Sequence, residues 1–341
     1  MRVRLLLSAL LAAAIFWFLL TRFHVAAVWA ELRAMTLVEL LTVVAAAAWN
    51  LVTYWALWTA VTPGLTWRQA MVLAQTGTAV TNTVPGGSGI GVGLAYSMLD
   101  SWGFSRGRST LAVLVTGMAN NFVKLCLPVL AVALLALQGD ASGSKVVVAV
   151  VAIGLLVAAV TVLVLILRSE RVALRAGELA ARCANAIHRL LRRPAVHGWG
   201  QATVKFRSRA GGLLRHRWPG IVAAAVVSHL SLYLVLLVTL RNVGVPDDQV
   251  GWAEVLFVFA STRLLTAVRF TPGGAGVVEA LLIGGLVAAG GDRAEVAAAV
   301  LLFRALTWLL PVPVGGLTYL AWRRQQSRRI PARDTAPVAD A

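Results

Sequence analysis

Apolar residues run along this chain in long blocks. A helix needs about 20 mostly apolar residues to cross a bilayer. Six stretches reach that length: roughly 4–21, 38–61, 110–137, 146–167, 219–240 and 296–321. Two more, about 68–100 and 252–290, are apolar but broken by glycine and proline. The first carries Thr83-Val84-Pro85-Gly86-Gly87-Ser88-Gly89, the second Phe270-Thr271-Pro272-Gly273-Gly274-Ala275-Gly276. Irregular backbone at membrane depth is tolerated only where protein buries it or it lines a cavity. The pattern therefore predicts an all-α polytopic membrane protein with about six full spans plus two re-entrant Pro-Gly-Gly hairpins, or about eight spans if the hairpins cross. The first stretch follows Arg2 and Arg4 and has the outline of a signal peptide, with a candidate cleavage step at Val28-Trp29-Ala30. Its length and the many spans after it favour an uncleaved first helix.

Composition agrees with the pattern. The 341 residues are 59% hydrophobic and 13% charged, whereas a soluble domain is about half apolar and a quarter charged. A water-soluble globule and a disordered chain are both excluded. The net charge of +17 does not indicate nucleic acid as a partner, because that needs a basic face on a soluble fold. It marks orientation instead, since Lys and Arg accumulate in cytoplasmic loops. Residues 168–217 hold 11 Arg and one Lys against two Glu. With Arg2 and Arg4 at one end and Arg323, Arg324, Arg328, Arg329 and Arg333 at the other, that segment and both termini are expected to face the cytoplasm. Four full spans separate the N-terminus from the basic segment, and two separate that segment from the tail. Both numbers stay even only if each Pro-Gly-Gly stretch returns to its starting side. The first lies between Arg68 and Arg106/Arg108 and enters from the cytoplasm. The second lies between Asp247/Asp248 and Asp292/Glu295 and enters from outside. The chain then reads as one integral domain of the cell membrane, 1–322, with a basic cytoplasmic tail, 323–341.

The two broken stretches are alike. Pro85-Gly86-Gly87-x-Gly89 matches Pro272-Gly273-Gly274-x-Gly276. In the same gapless register Leu94 pairs with Leu281, Leu99 with Leu286 and Gly103 with Gly290. Trp67 and Trp252 precede them at similar distances. Each hairpin has a full span on either side, giving repeat units of about 38–137 and 219–321. Related units of opposite orientation form an inverted-topology repeat, the arrangement in which broken helices of secondary transporters meet near the midplane. The competing reading is that small residues simply recur in tight membrane packing.

Pro272-Gly273-Gly274-Ala275-Gly276-Val277-Val278-Glu279 resembles the P-x-G-G-x-G-x-x-E signature of the transmembrane flippase domain of lysylphosphatidylglycerol synthases. Asn82-Thr83-Val84-Pro85-Gly86-Gly87 resembles that family's N-x-x-P-G motif, and the resemblance covers about residues 5–322. It implies a bundle of about eight helices with re-entrant segments, moving aminoacylated phosphatidylglycerol, other lipids or lipid-linked sugars between leaflets. Two departures stand out. Ile90-Gly91-Val92-Gly93 occupies the place where the family often has an acidic residue, and only about 20 residues follow the last span, too few for an aminoacyltransferase domain.

Ionisable residues at membrane depth are costly and point to function. The candidates are Lys124, Arg263, Arg269, Glu279 and Arg304, joined by the amides of Asn82, Asn120 and Asn121. The bland role of Glu279 is to pair with Arg269 or Arg304 and pin the hairpin; the other is contact with a substrate or a coupling proton. Arginine's planar fork suits phosphate oxygens and keeps its charge when buried, so Arg263, Arg269 and Arg304 are candidates for a lipid phosphate. Gly117, Asn121 and Lys124 share one helix face, read as a stripe turned toward a cavity or a neighbouring helix. Asn50 reads as interhelical glue. The half-helices expected near Gly89 and Gly276 offer N-termini to anions. Leu179, Cys183, Ile187 and Leu190 recur at helical spacing among arginines, as in an amphipathic helix on an anionic leaflet.

Neither Cys126 nor Cys183 has a disulfide or metal-ligand context, and no cofactor is implied. No nucleophile–base set or paired carboxylates appear, so an intramembrane enzyme is the least favoured class and the chain is expected not to be an enzyme. A lipid transporter, with anionic phospholipid as partner, stands first. A non-transporting anchor or regulatory subunit for a lipid- or envelope-synthesis enzyme stays open, as does a homo-oligomer.

Overall fold

The computed structural model describes residues 33, 35–84, 87–139, 143–190, 194–266 and 272–329. The stretch 4–21, Pro85, Gly86, Arg269 and the end of the tail lie outside the described residues. Every regular element described is helical. In chain order the helices are α1 (Leu37–Val61), α2 (Trp67–Thr83), α3 (Gly87–Ser101), α4 (Arg106–Leu137), α5 (Gly143–Arg168), α6 (Glu170–Leu190), α7 (Trp199–Val243), α8 (Trp252–Leu265), α9 (Val277–Ala288), α10 (Arg293–Arg304) and α11 (Pro311–Arg329). A 3₁₀ turn, Pro272–Gly274, precedes α9, and a π-helical turn, Ala305–Leu309, joins α10 to α11.

Five helical stretches are long and apolar enough to span a bilayer: Leu37–Val61, Arg106–Leu137, Lys145–Arg168, Arg215–Val243 and Arg293–Gln326. They coincide with the five expected spans that fall within the described residues. The chain is a multi-pass, all-α membrane protein. The two broken stretches form pairs of short helices, 17 and 15 residues in α2 and α3, 14 and 12 in α8 and α9. At 1.5 Å per residue each is about 18–26 Å long, shorter than the roughly 30 Å hydrocarbon core.

Local signals start and stop these helices. Thr36 with Glu39 and Thr66 with Gln69 form capping boxes at the starts of α1 and α2. Each satisfies two orphan backbone donors. The repeat register reappears in the backbone. After α3, Gly103 has φ +84°, its N–H donates to Asp100 O, and the Phe104 N–H donates to Leu99 O. After α9, Gly290 has φ +111°, its N–H donates to Val287 O, and the Gly291 N–H donates to Leu286 O. These are the same left-handed C-terminal caps at paired positions. The same register pairs N-cap Ser105 of α4 with N-cap Asp292 of α10.

The two pairs of short helices are anchored to different neighbours. At the base of the first, Arg108 Nη2 donates to Pro63 O at 2.9 Å, and Trp322 Nε1 donates to Ser101 Oγ at 3.1 Å. Gly107 at this end leaves room for the Arg209 guanidinium of α7. At the base of the second, Lys145 pairs with Glu254 at 3.0 Å, and Arg241 pairs with Asp247, which caps the Trp252 N–H at 3.0 Å. About 48 Å of continuous α7 separates Arg209 from Arg241.

The basic segment 168–217 is largely helical. α6 and the first turns of α7 pack side by side, with Gly177 against Trp199 O and Gly200 against Leu174. The packed side of α6 is its small-residue face at Ala173 and Gly177, whereas Leu179 is 62% exposed and Cys183 is exposed. Small side chains win the helix contact because they allow close approach, and the larger apolar residues are left outside. Between α1 and α7, Asn50 Nδ2 donates to Ser231 Oγ at 2.8 Å, and Thr53 Oγ1 lies 2.9 Å from the same hydroxyl. Asn50 is interhelical glue, as its sequence context predicts.

Candidate functional site

The Pro-Gly-Gly tip of the second hairpin is a backbone that only glycine accommodates. Gly273, Gly274 and Gly276 have φ of +56°, +72° and +85°, a region costly for other residues. A Cβ on Gly273 would also overlap the indole of Trp308. The tip of the first hairpin needs glycine for closeness instead, because a Cβ on Gly87 would overlap the Val80 carbonyl.

Side chains knot the two tips to the last span. Arg304 Nε donates to Glu279 Oε1 at 2.7 Å, and its Nη2 donates to Gly273 O at 3.1 Å. Its guanidinium carbon stands 5.2 Å from the centre of the Trp308 ring. Glu279 Oε2 accepts the Gly276 N–H at 2.7 Å and so caps α9. From the first hairpin, Asn82 Nδ2 donates to Trp308 O at 3.0 Å. That carbonyl belongs to the π-helical turn, where the Leu310 N–H reaches back to Ala305 O. Pro311 and Pro313 have no N–H to give the preceding carbonyls. Single π turns inside α-helices recur at functional sites.

A cavity of about 380 Å³ opens where the tips meet. Both halves contribute the same positions to its wall. In the register that pairs Pro85 with Pro272, Gly91 and Val278, Ala95 and Leu282, Thr116 and Phe303, Gly117 and Arg304, and Asn120 and Thr307 all line it. Arg263 and Thr262 add polar groups from α8, and Gln75 and Thr78 from α2. Gln75 Oε1, Thr116 Oγ1 and Asn120 Oδ1 are buried and accept no hydrogen bond from the described residues. Buried polar atoms are ordinarily satisfied, so three such oxygens without a partner among the described residues mark this wall as polar.

The structure brings together Asn82, Arg263, Arg304, Gly273 and Gly274 at the cavity, with Glu279 behind Arg304. Gly89 is exposed, with open space where a side chain would be. Asn121 is exposed, and Lys124 Nζ lies 3.4 Å from Asn121 Oδ1; neither lines the cavity. The face of α4 that looks inward carries Thr116, Gly117 and Asn120, one residue round from the predicted Asn121–Lys124 stripe. The N-terminus of α9 is occupied by the Glu279 carboxylate rather than left for an external anion. Gln75, Thr116 and Trp308 were not legible as site residues. A lone glutamine in an apolar block, 2% exposed, was the available signal for Gln75. Among the described residues no three His, Cys, Asp or Glu side chains gather as for a metal ion.

A family model described as the lysylphosphatidylglycerol synthase TM region matches residues 5–315. No curated protein matches the chain.

Proposed function

Because the chain belongs to the lysylphosphatidylglycerol synthase transmembrane family, we propose that it moves an anionic or aminoacylated phospholipid, or a lipid-linked head group, between the leaflets of the cell membrane. The observation that carries this reading is the polar cavity walled by residues at matching positions after the two Pro-Gly-Gly breaks. An inverted-topology repeat around a central site supports alternating access. In this reading the hairpins are re-entrant, Arg263 meets the head-group phosphate, and Arg304 with Glu279 sets the second tip in place. Asn82 ties the first tip to the same turn. The end of the bundle carrying the basic helices faces the cytoplasm.

The test is purified protein in vesicles doped with acyl-labelled phospholipid, read by the fraction of label accessible from outside. Movement by the chain alone is expected, and Arg263→Ala is expected to slow it at least tenfold while the protein stays folded. Glu279→Gln and Arg304→Ala are expected to slow it as well, and normal movement in both would remove the site from the mechanism. Absence of movement in wild type would favour an anchoring or regulatory subunit instead.

A further inference from the structure

Away from the cavity, α6 presents three different faces. It packs on the start of α7 through Ala173, Leu174 and Gly177, with Gly177 against Trp199 O and Leu174 against Gly200. The arc opposite that contact is apolar and open. Leu179 is 62% exposed and Cys183 is exposed. Val172, half-buried, shares the arc, and Ile187 and Leu190 fall in its register. Arg171, Arg175, Arg182 and Arg189 are all exposed and form a stripe of their own. Their spacing repeats that of Val172, Leu179, Cys183 and Leu190 about one residue earlier, which sets the stripe about 100° round the helix from the apolar arc. Glu178 is the one acid on this flank, and Glu170, at the start of α6, lies 3.8 Å from Arg207 of α7. The exposed surface of α6 is therefore an apolar edge bordered by a row of arginines.

A membrane surface lies within reach of that edge. The apolar helix α5 ends at Arg168, two residues before α6 begins, and Arg207 Nε of α7 donates to Leu167 O at 3.1 Å. The membrane-spanning stretch of α7 starts at Arg215, and Trp218 just inside it is exposed, as an aromatic anchor at a bilayer interface would be. The arginine row decides what can cover the edge. A second copy of the chain packed here would set arginines against arginines, and like charges juxtaposed at a contact repel. An anionic leaflet meets both parts at once. Its acyl boundary takes the apolar edge, and its phosphates take guanidinium groups, whose planar fork suits them.

We propose that α6 is a docking surface for anionic lipid. Its Leu179–Cys183 edge seats in the head-group boundary of the leaflet at the basic end of the protein, and Arg171, Arg175, Arg182 and Arg189 lie along the lipid phosphates. This role needs no movement of lipid between leaflets and stands or falls apart from transport.

Cys183 supplies the probe, because the chain has two cysteines and Cys126→Ser leaves it as the one thiol. The full chain, labelled there with a polarity-sensitive fluorophore, is reconstituted in phosphatidylcholine vesicles with or without phosphatidylglycerol, and nitroxide-labelled lipid serves as quencher. A label at exposed Gln201 of α7, placed by Gln201→Cys in a chain without the native cysteines, is the control. The Cys183 label is expected to shift to the blue and to be quenched with phosphatidylglycerol present, and much less so without it, while the Gln201 label changes little. Each arginine near an anionic surface contributes roughly fivefold to docking, so Arg175→Gln with Arg182→Gln should weaken the phosphatidylglycerol-dependent quenching at least tenfold. Salt at about 1 M, where the Debye length is about 3 Å, should abolish the same part. Reading each variant as a ratio between the two vesicle compositions keeps partial misfolding from imitating the result. A Cys183 label that stays in water in both compositions overturns the docking and points to a soluble partner for this edge. Quenching that is equal with and without phosphatidylglycerol, or indifferent to the arginine variants, overturns the selection for anionic lipid.

Discussion

Replacing Glu279 by Gln removes one charge from the tip of the second hairpin and leaves Arg304 buried without it. The pair meets at 2.7 Å, with side-chain exposures of 8% for Arg304 and 16% for Glu279. Two unit charges about 4 Å apart attract by about 4 kcal/mol at an effective dielectric constant near 20. Removing one partner of a buried pair costs about 3–5 kcal/mol, because the remaining charge is left desolvated. The glutamine amide also cannot accept both the Arg304 N–H and the Gly276 N–H. Losing the cap adds about 1 kcal/mol, while the surviving Gly273 carbonyl and the Trp308 ring return part of the loss. Glu279→Gln is therefore expected to destabilise the protein by about 3–4 kcal/mol. Unfolding followed by intrinsic fluorescence of the 12 tryptophans measures it, with Arg304→Gln and the double variant completing a cycle. The double variant should be less destabilised than the sum of the singles by about 2 kcal/mol or more. A charge swap, Glu279→Arg with Arg304→Glu, should recover less than half of the loss, because arginine at 279 accepts nothing from Gly276. Single variants that each cost under about 1 kcal/mol, or that add without coupling, would refute the view that this pair holds the tip.

Three further outcomes follow from separate contacts. Gly273→Ala places a side chain on backbone at φ +56° and against the Trp308 indole. It should cost more than the roughly 1–2 kcal/mol of left-handed strain alone, and the red-edge tryptophan emission should shift as the indole is displaced. Asn50→Leu removes the bonds to Ser231 Oγ and Ser228 O; a loss of about 0.6–1.7 kcal/mol is expected, and a cycle with Ser231→Ala should show the coupling. Lys145→Gln breaks a pair whose side chains are 19% and 22% exposed. Its effect on unfolding should stay within about 1 kcal/mol, well below that of Glu279→Gln.

The spans were legible because each is a long apolar block, and length in a bilayer leaves few alternatives. The breaks in the two interrupted stretches were legible because Pro-Gly-Gly cannot sit in an uninterrupted lipid-facing helix, and the matching caps after them because Leu99/Leu286 and Gly103/Gly290 keep register. Helical phase was not. A one-residue error on α4 put Asn121 inside and Asn120 aside, since an apolar helix surrounded by lipid gives no polar face from which to read phase. On α6, close approach at Ala173 and Gly177 decides the helix contact and leaves Leu179 outside the bundle, where the apolar face of an amphipathic helix on a leaflet belongs. Trp308 escaped notice because its role lies in a backbone carbonyl and a ring edge, neither of which sequence spacing reveals.

The two halves diverge where the register pairs Val92 with Glu279 and Gly117 with Arg304. Everything around those positions is shared: glycine tips, C-terminal caps, flanking spans and cavity-lining sites. In the second half the pair spends its charges on the protein, joining α9, α10 and the Gly273 carbonyl. An arginine at 117 would extend into the open space in front of that glycine and fill much of the cavity, and a glutamate at 92 would neutralise what remained of the positive wall. Leaving those two positions uncharged therefore has one structural consequence that symmetry would forbid. Among the described residues, one tip is clamped by an ion pair, while the other is held by close packing at Gly87 and by the amide bond from Asn82 to the Trp308 carbonyl.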